Sequence, residues 1–221
     1  MRIAVVISVV EGGERSCVED CQRQCEALAA YDGHVFETFI NNDGAAGYLK
    51  QVEAAGIDGF DAFIWLDSDL RLEEGALESF LTNSMFLRHK ALIVGTVSDG
   101  QGVLVSGGRS RHWRLLQPDP VIPVPCHLYD LAMVFAPKYA VRRLQTPADI
   151  FNYGIFEYGS GSRAAAAGVA RVIAPGILAR AASKAEVPQW KDNAHPLRSK
   201  VKVFWKSTNR DIIRILHSVF R

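Results

Sequence analysis

A charge excess of either sign is missing here: 25 Lys and Arg stand against 24 Asp and Glu, for a formal net charge of +1. Without a global field to draw in a polyanion, nucleic acid is not an implied partner. Also missing is an apolar run long enough to span a bilayer. The opening "MRIAVVISVVEGG" holds one Arg and a short apolar stretch, then turns acidic without a small-residue cleavage site. It reads as a buried first strand, and the chain as cytoplasmic. Cysteine is scarce, with four in the chain. Cys17, Cys21 and Cys25 recur every fourth residue, which places them on one helix face. That spacing matches neither C-x-x-C nor a zinc site, so reduced, half-buried core thiols are expected, as suits a reducing compartment. Internal repeats and low-complexity segments are absent.

What is present is an alternation of strand and helix signals. "IAVVISVV" is a continuous apolar, β-branched run of the kind a parallel strand needs when buried on both faces. A cysteine-bearing helix is expected from Ser16, a plausible cap, to about Ala30. "GHVFETFINN" reads as a second strand, "GAAGYLKQVEAAG" as a helix, and "DAFIWLDSD" as a third strand. "LEEGALESFLTNS" reads as a helix and "KALIVGTVS" as a fourth strand. This order predicts an open α/β sheet flanked by helices. From Asp99 to Pro125, Gly, Ser, Arg and Pro predict short strands and loops. "YDLAMVFAPKYAVRRL" reads as strand then helix, "FEYGSGSRAAAAG" as a tight turn into an Ala-rich helix, and "VARVIAPG" as a strand. We expect one domain over residues 1–187 and a basic helical extension over 188–221.

The third strand closes on Asp67-Ser68-Asp69. Ligands of open α/β sheets bind beyond the carboxyl ends of the strands, where these acids fall. Two carboxylates at i and i+2 suit a hard divalent cation such as Mg²⁺ or Mn²⁺, which takes oxygen ligands and leaves positions for substrate phosphates. The competing reading is an ordinary polar strand end. A short apolar run before D-x-D also describes the nucleophile strand of haloacid-dehalogenase-type phosphatases. There, however, the strand comes early and a Thr or Val stands where this chain has Arg71.

"DAFIWLDSDLRLEEGALESF" resembles the D-x-D region of GT-A glycosyltransferases, especially family 2. The likeness extends through "ALIVGTVSDGQGVLVSGG", "LAMVFAPKYAVRRL" and "FEYGSGSRAAAAGVARVIAPG". It implies a sugar transferase with a GT-A-like mixed sheet, using a nucleotide-diphosphate donor, a divalent cation and a glycan or lipid-linked acceptor, with inversion at the anomeric carbon. In that likeness Asp69 matches the acid that holds the metal on the diphosphate, and Asp67 the acid nearer the ribose. Glu157, before the matching Arg163, takes the place of the catalytic base. Asn42 and Asp43 correspond to a strand end at the nucleotide, and Glu11 to a polar residue after the first strand. His127 and Asp130 stand where the family meets its acceptor. The chain departs from the pattern in a compressed donor region and in "APGILARA", which lacks the His that many members use as a further metal ligand. Those departures favour the alternative, a non-catalytic GT-A-like protein that binds a nucleotide or glycan or serves as a scaffold.

Several features keep two readings. Glu157 can equally cap the Ala-rich helix. "GSGS" resembles a phosphate cradle but lacks both the Walker lysine and G-x-G-x-x-G spacing. Arg109, Arg111, His112 and Arg114 suit phosphates or an anionic acceptor, or form a solvated loop. The tail over 201–221 mixes basic and apolar residues. Such a helix can lie on an anionic membrane surface, pack on the domain, or join a second copy in a homo-oligomer.

Overall fold

The computed structural model describes residues 1–8, 16–41, 57–144 and 164–181, all within the unit Met1–Lys184. In chain order its strands are β1 (Arg2–Ser8), β2 (Val35–Asn41), β3 (Ala62–Asp67), β4 (Leu70–Leu72), β5 (Ala91–Val94), β6 (Val97–Ser98) and β7 (Leu104–Ser106). They continue with β8 (Gly108–Arg109), β9 (Val124–Pro125), β10 (Leu128–Tyr129), β11 (Met133–Pro137), β12 (Ala170–Ile173) and β13 (Ala179–Ala181). The described helices are α1 (Ser16–Asp32), α2 (Ala76–Phe86) and α3 (Lys138–Arg143).

Seven strands form one mixed sheet in the order β2-β1-β3-β11-β5-β12-β9. β1 runs parallel to both β2 and β3, and β12 runs parallel to β5. β11 lies antiparallel between β3 and β5. The apolar runs are continuous because both faces are covered. Ile3, Val5, Ile7, Ile64 and Leu66 face one side with Phe80 of α2 and the α1 cysteines. Ala4, Val6, Phe63, Trp65 and Val134 face the other with Tyr129. Successive side chains alternate across a strand, so each strand serves both cores, and each large apolar side chain so buried contributes about 1.5–3 kcal/mol.

A second sheet has the order β4-β13-β6-β7, and β8 pairs with β10 in a two-stranded ribbon. The open mixed sheet matches the sequence reading, while the smaller sheet was not anticipated. The stretch expected as one fourth strand is two, because the chain leaves β5 at Gly95 and Thr96 and re-pairs as β6 in the small sheet. A Cβ at Gly95 would lie 2.6 Å from the Met133 sulfur, so β11 passes close to that bend. Helix α2 starts at Ala76, later than "LEEG" implied, since Leu70–Leu72 is taken by the small sheet. The cysteines are free, as expected, but fully buried and not half-buried. Among the described residues no helix is long and apolar enough to cross a membrane.

Candidate functional site

The carboxyl ends of β1, β2 and β3 are in register: Ser8 stands opposite Asn41 on one side and Asp67 on the other. From β1 the chain goes to β2 on one flank and returns to β3 on the opposite flank. The order of strands therefore reverses between β1 and β3, the place where open α/β sheets form a ligand crevice. Asp67 ends β3 at that reversal. Its N–H donates to the Ala132 carbonyl at 2.9 Å, and the Ser68 N–H donates to the Ser8 carbonyl at 2.9 Å. Ser68 is fully buried, and Leu70 is buried at the start of β4, while Asp67 and Asp69 keep partial exposure. The buried serine and leucine pin the backbone on either side of Asp69, and both acids stay partly exposed.

The two carboxylates act on a common neighbour. Burial pushes the Cys17 thiol well above its ordinary value, and Asp67, Asp20 and Asp69 push it further. All three acids thus lie within electrostatic reach of one sulfur on α1. Burial and these acids disfavour the thiolate, the form in which a cysteine acts as nucleophile or metal ligand.

Helix α1 also fixes the chain that follows. Asp20 accepts from the Leu72 N–H at 3.1 Å and from Arg23 at 3.0 Å. One turn later, Gln24 donates its amide to the Glu73 carbonyl at 2.7 Å and accepts from the Leu77 N–H at 3.0 Å. Gly75, at the start of α2, supplies no side-chain cap, so Gln24 caps α2 from across the core.

As a cation site, the donor set is two carboxylates with oxygen ligands, partly exposed at a strand end. That suits Mg²⁺, which commonly binds one or two carboxylates and takes its other ligands from water and substrate phosphates. Among the described residues no group of three or more His, Cys, Asp or Glu could hold a metal by itself. Ligand oxygens would have to complete the shell.

Two residues before Ala132, Asp130 is buried and commits both oxygens internally. Oδ1 accepts from Arg109 Nε at 2.7 Å and Oδ2 from the Gly107 N–H at 3.2 Å. Arg109, which the sequence left open as a phosphate or acceptor contact, turns inward to this pair and to the Trp113 carbonyl at 2.9 Å. The ion pair holds a tight turn in which the Ser110 N–H donates to the Arg114 carbonyl, presenting Arg111, His112 and Arg114 to solvent. His127 is exposed, and its N–H bonds the Arg109 carbonyl. The structure thus brings His127, Asp130 and Arg109 together, with Asp130 setting the turn. Gly108 in this turn abuts the large sheet: a Cβ there would lie 2.3 Å from Ile173 Cγ1.

Glu11, Asn42, Asp43, Glu157, Arg163, the "GSGS" turn and the 188–221 extension lie outside the described residues. Neither Arg71 nor Arg180 was read from the sequence as a binding residue, although the apolar-polar-apolar alternation of "LRL" marks Arg71 as outward-facing, as it is in β4.

No family model matches the sequence, and no curated protein does. Solved structures do resemble the fold. A197 from STIV superposes with a TM-score of 0.51 at 11% identity, covering 81% of this chain and 84% of that one. This likeness shows a shared fold and nothing more. GalNAc-T7, solved with UDP, GalNAc and Mn²⁺, gives 0.45 at 10% identity over 80% of this chain, which spans 43% of that protein. A Desulfovibrio desulfuricans protein assigned as a nucleotide-diphospho-sugar transferase gives 0.41 at 13% identity over 78% of this chain and 79% of that one. Scores at these last two levels carry no argument by themselves.

Proposed function

We propose that the chain is a GT-A-like glycosyltransferase of the family 2 type. It would move a sugar from a nucleotide-diphosphate donor to a glycan or lipid-linked acceptor, with inversion. The observation that supports this reading most is the position of Asp67 and Asp69 at the strand-order reversal, the crevice where such a sheet takes a phosphate-bearing ligand. Asp67 and Asp69 would hold Mn²⁺ or Mg²⁺, and the bound ion would neutralise charge on the departing nucleoside diphosphate. Glu157 acts as general base: it takes the proton of the acceptor hydroxyl as that oxygen bonds to the anomeric carbon and the carbon–diphosphate bond breaks. Glu11, Asn42 and Asp43 contact the donor. His127 faces the acceptor from the turn that Asp130 secures. The domain spans 1–187 on the cytoplasmic side, and the basic extension over 188–221 packs on it, on a second copy, or on a membrane surface.

Calorimetry with uridine and guanosine diphosphates, with and without Mn²⁺, tests the donor site, and a nucleotide-sugar panel tests transfer. Metal-dependent binding is expected, abolished in Asp69→Ala. Glu157→Gln should retain binding and lose turnover; an unchanged rate would remove Glu157 from the mechanism. Absence of any metal-dependent heat would leave the scaffold reading in place of the enzyme.

A further inference from the structure

Beside the D-x-D turn, the small sheet carries two arginines in direct opposition. β4 and β13 pair antiparallel with Arg180 opposite Arg71. Leu70 and Leu72 point into the core, as does Ala179, so both guanidinium groups leave from the same outer face. Directly opposed residues of an antiparallel pair sit roughly 4.5–5.5 Å apart at Cα, and like charges placed so destabilise the sheet.

The two carboxylates beside them, Asp20 and Glu73, are already engaged. Glu73 pairs with Arg180, but the Arg180 side chain is 62% exposed, so that bond is weak and easily exchanged. Asp20 already accepts from the Leu72 N–H and from Arg23. The Arg71 side chain has no hydrogen bond or ion pair among the described residues. Both arginines open onto one cavity of about 630 Å³, together with Asp20, Glu73 and the Gly100 backbone. A second hollow of about 460 Å³ shares Glu73, Gly100 and Arg180 and prolongs the first past Asp99. Arg71 follows Asp69 by two residues, roughly 7 Å along an extended chain. The cavity therefore begins next to the candidate donor site and runs away from it, with room for an elongated ligand.

We propose that this cavity is an oxyanion subsite in which Arg71 and Arg180 together hold a phosphate or carboxylate group carried by the acceptor. An oxyanion between two guanidinium groups converts their repulsion into charge-assisted hydrogen bonds, for which the planar arginine fork is suited. Calling the ligand an acceptor rests on the transferase reading, whereas the binding itself does not.

The test is titration calorimetry of the full chain in EDTA with glucose 1-phosphate and, separately, with glucuronate. Saturable binding is expected without metal, weakened at least tenfold in Arg71→Gln and in Arg180→Gln. Because the titration is run in EDTA, the binding it reads is separate from that of the metal-dependent donor site. Both arginines are exposed, and thermal midpoints of the variants confirm that they fold. Binding of glucose 1-phosphate alone identifies a phosphate-bearing acceptor, binding of glucuronate alone an acidic sugar, and binding of both the shared chemistry. No saturable binding by either compound, or binding indifferent to both arginine substitutions, overturns the proposal whatever the donor experiments give.

Discussion

Replacing Gln24 with alanine should loosen the segment that follows Asp69 without touching the acids. The Gln24 side chain is nearly buried and makes two bonds to chain about 50 residues away: its amide to the Glu73 carbonyl at 2.7 Å, and its carbonyl from the Leu77 N–H at 3.0 Å. Losing a helix cap costs about 0.5–2 kcal/mol. The Glu73 carbonyl keeps a bond from the Ala76 N–H, so losing its second donor adds only about 0.5–1.5 kcal/mol. Together the change should be about 2 kcal/mol, or a fall in Tm of about 4–8 °C for a domain of this size. Gln24→Glu preserves the acceptor for Leu77 and places a negative charge near the start of α2, where it is favourable, but sets an oxygen against the Glu73 carbonyl in place of the amide donor. It should melt between the native chain and Gln24→Ala. Thermal unfolding followed by circular dichroism measures all three. If Gln24→Ala melts within about 1 °C of the native chain, or if Gln24→Glu falls as far as alanine, the cross-core cap has been misread.

Two further outcomes follow from the packing and from the thiols. Gly108→Ala puts a methyl 2.3 Å from Ile173 Cγ1 and 3.0 Å from Cys126 Cβ, and should cost at least about 2 kcal/mol by urea unfolding. In an Ile173→Ala background the same change should cost much less, only the Cys126 contact remaining, and fully additive costs would rule out the clash with Ile173. Burial pushes the Cys126 thiol from 9.0 up to about 12, and Cys17 and Cys21 are also raised, Cys21 first by its bond to Cys25. The native state resists ionisation that the unfolded state allows, so this stability is complete below pH 9 and is lost as pH climbs toward 12. Each such thiol should take away about 1.4 kcal/mol per pH unit above 9. Urea midpoints from pH 8 to 10.5 should fall, less steeply in Cys126→Ala, and a flat profile would contradict the burial.

The long apolar runs were legible because a strand covered on both faces cannot alternate with polar residues: "IAVVIS" and "AFIWL" announced β1 and β3. The cysteine helix was legible from its spacing. The small sheet was not, because three-residue strands such as Leu70–Leu72 and Ala179–Ala181 are too short to show a period and form only through pairing with each other. "KALIVGTVS" reads as one strand since its break at Gly95 depends on where β11 passes, which is a tertiary fact. The acids of the D-x-D turn were visible as a pair, but the anchoring of the chain after them by Asp20 and Gln24 joins residues far apart in sequence. Asp130 carried no local sign that Arg109 and the Gly107 N–H would occupy both its oxygens.

The chain crosses from the large sheet to the small one at three places: β3 to β4, β5 to β6, and β12 to β13. Backbone bonds lace these crossings together, from the Leu178 N–H to the Thr96 carbonyl and from the Glu73 N–H to the Leu178 carbonyl. The three crossings leave from the carboxyl ends of β3, β5 and β12, which run parallel and share one edge of the large sheet. The small sheet is therefore tied along that edge at three places and cannot swivel about any one of them. Since Ser68 and Asp69 are one of the three suspensions, a ligand gripping the acids would tighten the whole mounting, and its imprint should reach amide hydrogen exchange at the other two.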